Sequence, residues 1–244
     1  MAMQQLLLDE PKVKWQPGDP AYPDIQVKIL ADGKEGRPSA TIGTCSKEQR
    51  IEAHFHNTAQ FQVILEGHLV FVNHPTQPIA VHYTDPGTAY GSFTADSNFK
   101  LAVLRPRKAG QWFMAEKENR KLRNIKGREV YGQSTDVEWE NLTGKLAGVR
   151  RKVLFGKDNE KGPKAHILEC PAGFVLQRDP AAYGEYQIIT EGSAKIEGKE
   201  TKPFAMHWVR GEERPAPLIA GPNGATWVLL TYDEAALESA QMVA

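Results

Sequence analysis

The sequence predicts an all-β protein built as two tandem barrels, and three observations carry that reading. First, the two halves repeat at a constant offset of 125 residues: 60–84 lies over 185–209 without a gap. The shared positions are Gln62/Gln187, Ile64/Ile189, Glu66/Glu191, Gly67/Gly192, Thr76/Thr201, Pro78/Pro203, Ala80/Ala205 and His82/His207, eight identities in 25. Average composition would give roughly one or two. Second, apolar residues alternate in short runs, Phe61, Val63, Leu65 and then Leu69, Phe71, the period-2 pattern of a β-strand. Third, turn residues interrupt the chain at short-strand spacing and no long amphipathic helical pattern appears, as in sandwiches and barrels.

The segment up to about Asp32, rich in proline and apolar residues, is expected to supply edge strands to its own barrel or to a partner's. The repeat then runs from about residue 35 to 107. Its offset also pairs Pro38 with Pro163, Cys45 with Cys170, Asn98 with Asn223 and Val103-Leu104 with Val228-Leu229. Glu66-Gly67 and Glu191-Gly192 mark a tight turn in each copy, and Asp85-Pro86-Gly87 and Gly221-Pro222-Asn223-Gly224 mark others. Short helices are expected near 111–123, 137–146 and 233–243. The domain division is therefore 1–107 for the first barrel with its arm, 108–160 for a connector and 161–244 for the second barrel, a length that suits two small domains.

Thirty basic and thirty acidic residues cancel, which removes the broad electrostatic argument for nucleic acid or an anionic membrane as partner. The local basic excess at 117–126 falls in the connector and reads as a solvated surface. No apolar run approaches the roughly 20 residues of a membrane helix, and the first ten residues have no basic segment ahead of an apolar one. A soluble, cytoplasmic protein is expected. The two cysteines occupy matched places in separate repeats, so they read as small apolar core residues and not as a disulfide.

The chemistry concentrates in His54-Phe55-His56 and Gln60. Residues two apart on a strand share a face about 7 Å apart, so both imidazoles can address one metal ion. Gln60, at an even spacing, can return to the same interior on the next strand. Two imidazole nitrogens, an oxygen donor and open positions suit Fe, Mn, Ni, Co or Zn as divalent ions.

The spacing His54-x-His56-x3-Gln60-x6-Gly67 resembles the first signature of the cupin superfamily, HxHx(3–4)Ex(6)G, with Gln60 where the family has Glu. Asp85-Pro86-Gly87-Thr88-Ala89-Tyr90 resembles the second, PxGxxH, with Tyr90 at the place of the last histidine. In the second copy Glu185 and Gly192 fit, while Asp179 and Ala181 replace both histidines. The resemblance spans both repeats and implies a bicupin, two tandem double-stranded β-helix (jelly-roll) barrels, with metal chemistry kept in the first. Tyr90 and His82 are alternative candidates for the missing ligand, and Tyr90 is the candidate catalytic proton donor. His82 keeps a counterpart, His207, in the copy without the histidine pair, which favours a structural role for it. Gln62 and its counterpart Gln187 should face inward and line a pocket or buttress neighbouring strands. Tyr83 and Trp208 alternate to the opposite face and read as packing residues.

Two functions of different class follow from that resemblance. One is a metal-dependent small-molecule enzyme, a mononuclear dioxygenase-like oxidoreductase acting from the first barrel with a divalent transition metal (Fe, Mn, Ni or Zn). The other is a non-catalytic small-molecule-binding bicupin with a degenerate site. A homodimer is expected, because all-β folds commonly cover their edges with a second subunit.

Overall fold

A computed structural model of the chain describes residues 6–8, 12–71, 74–95, 98–107, 112–114, 127–157 and 161–238. Two compact units emerge, 13–135 with 234–244 and 1–12 with 136–233, each containing one copy of the repeat. The short strand β1 (Leu6–Leu8) opens the chain and belongs to the second unit. The first unit contains β2 (Gln16–Pro17), β3 (Ile25–Asp32), β4 (Ser39–Cys45), β5 (Gln49–Ile51), β6 (His54–His56), β7 (Gln60–Glu66) and β8 (Leu69–Phe71). It continues with β9 (His74–Pro75), β10 (Ala80–Thr84), β11 (Phe93–Ala95), β12 (Lys100–Arg105), β13 (Trp112–Met114) and β14 (Glu129–Gln133). The second unit adds β15 (Glu140–Asn141), β16 (Arg150–Phe155), β17 (Lys164–Cys170), β18 (Val175–Leu176), β19 (Glu185–Ile196), β20 (Lys199–Thr201), β21 (Met206–Val209) and β22 (Leu218–Thr231). The only helix longer than one turn among the described residues is α1 (Glu234–Glu238).

In the first unit a seven-stranded sheet, β14-β10-β7-β12-β4-β3-β2, faces a four-stranded one, β5-β11-β8-β9, and β13 pairs with β6. Ile64, Leu69, Phe71, Phe93, Phe99 and Leu101 fill the core between them. In the second unit the order is β1-β21-β19-β22-β17-β16-β15, with β18 and β20 attached to the long strands β22 and β19. Bulges between Ile189 and Glu191 and between Gly192 and Ala194 bend β19, so that one strand spans both sides of the barrel. Its core centres on Trp227, Leu176, Ile189 and Leu218, with Leu7 of β1 packed against it.

The repeat is visible in the hydrogen-bond ladders. His82 stands opposite Gln62 in the β10/β7 pair, and His207 opposite Gln187 in the β21/β19 pair. The last strand departs from the offset. Gln62 faces Val103 whereas Gln187 faces Leu229, and Thr41 faces Val103 whereas its counterpart His166 faces Leu229. The structural equivalent of Val103 is therefore Leu229, one residue beyond the identity seen in the sequence. Asn98 likewise matches Gly224, both with positive φ (66° and 80°), in place of Asn223. A one-residue slip would turn the rest of β22 to the wrong face; Ala220 still faces Ala194 as Ala95 faces Leu69, so the second copy absorbs one extra residue inside β22, between Ala220 and Gly224.

The short helices near 111–123 and 137–146 are corrected. Trp112–Met114 forms β13, paired with the histidine strand β6, and the rest of the first segment lies outside the described residues. The second segment holds β15 and the single 3₁₀ turn Gly144–Leu146. β15 and β16 extend the second unit's sheet, and β14 extends the first unit's, because each supplies backbone hydrogen bonds to an otherwise bare edge. Of the C-terminal helix only Glu234–Glu238 is described, and the basic stretch 117–126 lies almost wholly outside the described residues. The N-terminal arm divides: β2 and β3 join the first unit's sheet and β1 the second's. Both cysteines are buried and neither forms a disulfide. No helix among the described residues is long and apolar enough to cross a membrane.

Gly67 holds the turn after β7 at φ 73°, and a Cβ there would lie 2.8 Å from the Phe99 Cα. Gly67→Ala is expected to lower stability by about 1–3 kcal/mol, from left-handed strain and the forced shift of Phe99. Urea unfolding midpoints of the two proteins measure it, and an unchanged midpoint would contradict it.

Candidate functional site

β6 presents His54 and His56 to one face, as the two-residue spacing requires; their ring centroids are 5.2 Å apart and nearly perpendicular. Phe55 points the other way and stacks on Phe113 of β13 at 5.0 Å. The turn after β10 is stitched to this strand by backbone hydrogen bonds, Gly87 N to His56 O at 2.7 Å and a reciprocal His54/Tyr90 pair. The two sequence motifs therefore meet, with Tyr90 beside His54. His54, His56, Gln60, Gln62 and Tyr90 all line one cavity of about 220 Å³ in the first unit.

Hydrogen bonds define the protonation pattern of this cluster. His54 Nδ1 lies 2.7 Å from the Glu52 carbonyl, which can only accept, so Nδ1 carries the proton and Nε2 a lone pair. Tyr90 Oη donates to that Nε2 at 2.6 Å. The same Oη accepts from Gln60 Nε2 at 2.9 Å and, more weakly, from Gln62 Nε2 at 3.5 Å. Burial pushes the His54 imidazole down to about 4, helped by the charge of Arg105, against the pull of the Glu52 carbonyl. Burial likewise holds the Tyr90 phenol well above its ordinary range, although the Gln60 hydrogen bond and Arg105 oppose it. At neutral pH the pair is thus a neutral imidazole and a protonated phenol.

Arg105, at the end of β12, is a site residue that motif reading missed. It is 8% exposed, lines the cavity and donates through Nη2 to Gln60 Oε1 at 2.9 Å. This contact turns the Gln60 oxygen toward Arg105 and its amide NH₂ toward Tyr90. The alternating inward series Leu101, Val103, Arg105 on one strand is the available signal, and it lies outside both motifs.

His82 does not reach the cavity wall. Its ring nitrogens face Gln62 Oε1 at 2.8 Å and Glu129 Oε1 at 3.0 Å, so it buttresses Gln62 from behind. Glu129 arrives on β14, the edge strand next to β10, from the segment that sequence reading treated as connector.

The second unit shows what the same positions do without the histidine pair. Glu185, the counterpart of Gln60, is 1% exposed. Its Oε2 accepts from Arg178 Nη2 at 2.6 Å and Thr231 Oγ1 at 3.1 Å, and its Oε1 accepts from Gln187 Nε2 at 2.8 Å. Gln187 Oε1 in turn accepts from His207 Nδ1 at 2.9 Å. The carboxylate is neutralised by a cation of its own barrel. His207 is fully buried and burial pulls its imidazole down to about 4. β1, which brings Leu7 opposite it, supplies no equivalent of Glu129.

No protein-family model matches the chain, and no curated protein matches it significantly. Solved structures do. A protein of Nostoc punctiforme, assigned provisionally as a dioxygenase, aligns over 96% of this chain and 85% of its own with TM-score 0.71 and 11% identity. The oxalate decarboxylase of Lactobacillus farciminis, solved as a formate complex, aligns over 96% and 87% with TM-score 0.64 and 8% identity. The bacterial pirin of Escherichia coli, solved with nickel(II), aligns over 94% and 100% with TM-score 0.58 and 10% identity. These likenesses show the fold: all-β, two tandem jelly-roll barrels of the cupin type.

Arg178→Met is expected to cost about 3 kcal/mol, because it strands the buried Glu185 carboxylate, and Arg178→Met/Glu185→Gln to recover most of that loss. Chemical denaturation of the three proteins tests it, and a double variant no more stable than the single one would contradict it.

The His207 imidazole titrates near 4 in the fold and near 6.5 when unfolded, so below pH 6.5 the unfolded chain takes up the proton first. Its contribution is fully present above about pH 6.5 and is lost as pH falls toward 4, on the order of 2 kcal/mol by pH 5. His207→Gln should flatten the fall of the unfolding midpoint between pH 7 and 5. An equally steep fall in that variant would contradict the assignment.

Proposed function

We propose that the first barrel is the working site of a cupin-type small-molecule enzyme, in which His54 and His56 hold a divalent transition metal. The observation that carries this reading is the His54 tautomer: Nδ1–H is tied to the Glu52 carbonyl, so the lone pair is on Nε2, where Tyr90 Oη donates to it and an ion would take that proton's place. A backbone acceptor fixing the outer nitrogen of a ligating histidine is the usual support for such a ligand. Tyr90 Oη, beside that Nε2, is the third donor in reach. Gln60 fits less well, because its oxygen is engaged by Arg105. Among the described residues no group of three or more His, Cys, Asp and Glu could hold a metal ion, so the ion would rest on the two histidines, with Tyr90 serving either as third donor or as proton donor.

Bound there, such an ion supplies Lewis-acid or one-electron redox chemistry, the kind a dioxygenase-like oxidoreductase uses. The protein's own residues do the rest. Tyr90 holds a proton on Oη inside hydrogen-bond reach of the cavity, suited to donate it to a reacting oxygen. Gln60 and Gln62 orient that hydroxyl, and Arg105 orients Gln60. Apolar walls, among them Ile25, Val27, Leu101 and Val103, exclude water and strengthen each of these contacts.

A second reading, a metal-free small-molecule-binding bicupin, draws support from the same Gln60–Arg105 contact, which removes the oxygen donor and places a cation beside the two imidazoles. Soluble expression, a cytoplasmic setting and a homodimer complete the proposal.

Mass-spectrometric metal analysis of untagged protein, after reconstitution with Fe, Mn, Ni or Zn, separates the two readings. About one ion per chain is expected in the wild type and less than a tenth of that in His54→Ala/His56→Ala. No ion in a folded wild-type protein would leave the ligand-binding reading.

A further inference from the structure

The inward residues of β4 and β12, and of their counterparts β17 and β22, differ in size from one unit to the other. In the first unit Gly43 of β4 stands opposite Leu101 of β12, and Leu101 opposite Ile64 of β7. The same layer of the second unit is Leu168 of β17, Trp227 of β22 and Ile189 of β19. One rung further, Leu229 takes the place of Val103. Leu168, Trp227 and Leu229 are all buried in one core cluster with Ile189. Gly43 and Val103 also face inward yet are only half-buried, and both line the cavity. Exchanges in the other direction, Phe93 against Leu218 and Phe99 against Ala225, leave that cavity open, since both phenylalanines are part of its wall.

Nothing in the backbone asks for glycine at position 43. Its φ is not positive, and no register shift falls at it in either ladder. A Cβ there would meet only the Gln26 and Leu101 carbonyl oxygens, at 3.9 and 4.0 Å. Glycine inside a strand weakens it and packs against nothing; with no bulge or bend to account for it, the remaining reason is the close approach of a ligand. An engineered cavity of about 150 Å³ walled by Leu, Ile and Phe takes benzene, so a cavity of about 220 Å³ accommodates one substituted ring or a fused pair. Its polar wall groups are engaged with one another: Tyr90 Oη with His54 and Gln60, Gln60 Oε1 with Arg105, and Gln62 Oε1 with His82. A charged ligand would have to break into this set, whereas an apolar one leaves it intact.

We infer that the first barrel binds a small uncharged aromatic molecule, laid against Gly43 in the layer that the Leu168 and Trp227 side chains fill in the second barrel. Phe93, Phe99 and Leu101 supply the surrounding contacts, and aromatic neighbours favour a planar ring over a saturated one of the same size. The inference rests on the reading above in taking this cavity as the working pocket, and it requires no metal.

The test is calorimetric binding of three probes of nearly equal size to the full-length protein: benzyl alcohol, its saturated analogue cyclohexylmethanol and the anion benzoate. Wild type is expected to bind benzyl alcohol at least threefold tighter than cyclohexylmethanol and at least tenfold tighter than benzoate. Gly43→Leu and Leu101→Trp each place in the first barrel the residue that the second already accommodates, and each is expected to weaken benzyl alcohol binding at least tenfold. Absence of benzyl alcohol binding by wild type, equal affinity for either of the other probes, or wild-type affinity in both folded variants would overturn the inference. The wild-type comparison of the three probes stands alone if neither variant folds. Metal content of the same wild-type preparation judges the metal reading separately: a metal-free protein that binds benzyl alcohol would overturn that reading and support this one.

Discussion

A polar side chain that points into a small barrel must find its hydrogen-bond partner inside the barrel, since water is excluded and an orphaned group costs about 1–3 kcal/mol. Each unit of this protein solves that problem with the same inward core, a glutamine on the central strand hydrogen-bonded to a histidine on its neighbour, at 2.8 Å in one and 2.9 Å in the other. Everything that differs between the units is arranged around that shared pair. In the first, the edge strand β14 brings Glu129 behind the histidine, and Tyr90 sits in front of the glutamine. In the second, Leu7 of β1 stands opposite the histidine and Glu185 takes the glutamine's amide.

The consequence is a division of roles set by charge. Glu185 and Arg178 neutralise one another, so the second barrel is electrostatically complete without a ligand. Such a pair contributes little net stability against an apolar replacement, but breaking it is costly, which is reason enough for its persistence once formed. Gln60 meets Arg105 with an amide oxygen where Glu185 meets Arg178 with a carboxylate, beside a His54 nitrogen that carries a lone pair and a Tyr90 hydroxyl that carries a proton. These are groups that can act on something brought in from outside.

Register joins the two levels. β12 and β22 must present alternate residues inward, so the ladder tolerates no slip even where the sequence identity suggests one. The extra residue in the second copy is taken up inside β22, between Ala220 and Gly224, and this places Thr231 at the position of Arg105. Thr231 accordingly donates to Glu185, as Arg105 donates to Gln60.

The sequence by itself determined the fold class, the duplication and the meeting of the two motifs. Strand period, turn residues and the two-residue spacing of His54 and His56 are local properties that survive without knowledge of neighbours. Only the tertiary structure decided that Arg105 and Glu129 belong to the site, that His82 stands behind Gln62 and off the cavity wall, and that residues 129–133 and 150–155 are sheet strands. Those outcomes depend on which strand lies beside which, and on the direction in which an amide is held by a cation 45 residues away. Hydrogen-bond partnership across a barrel is a property of the closed sheet, and no window of sequence contains it.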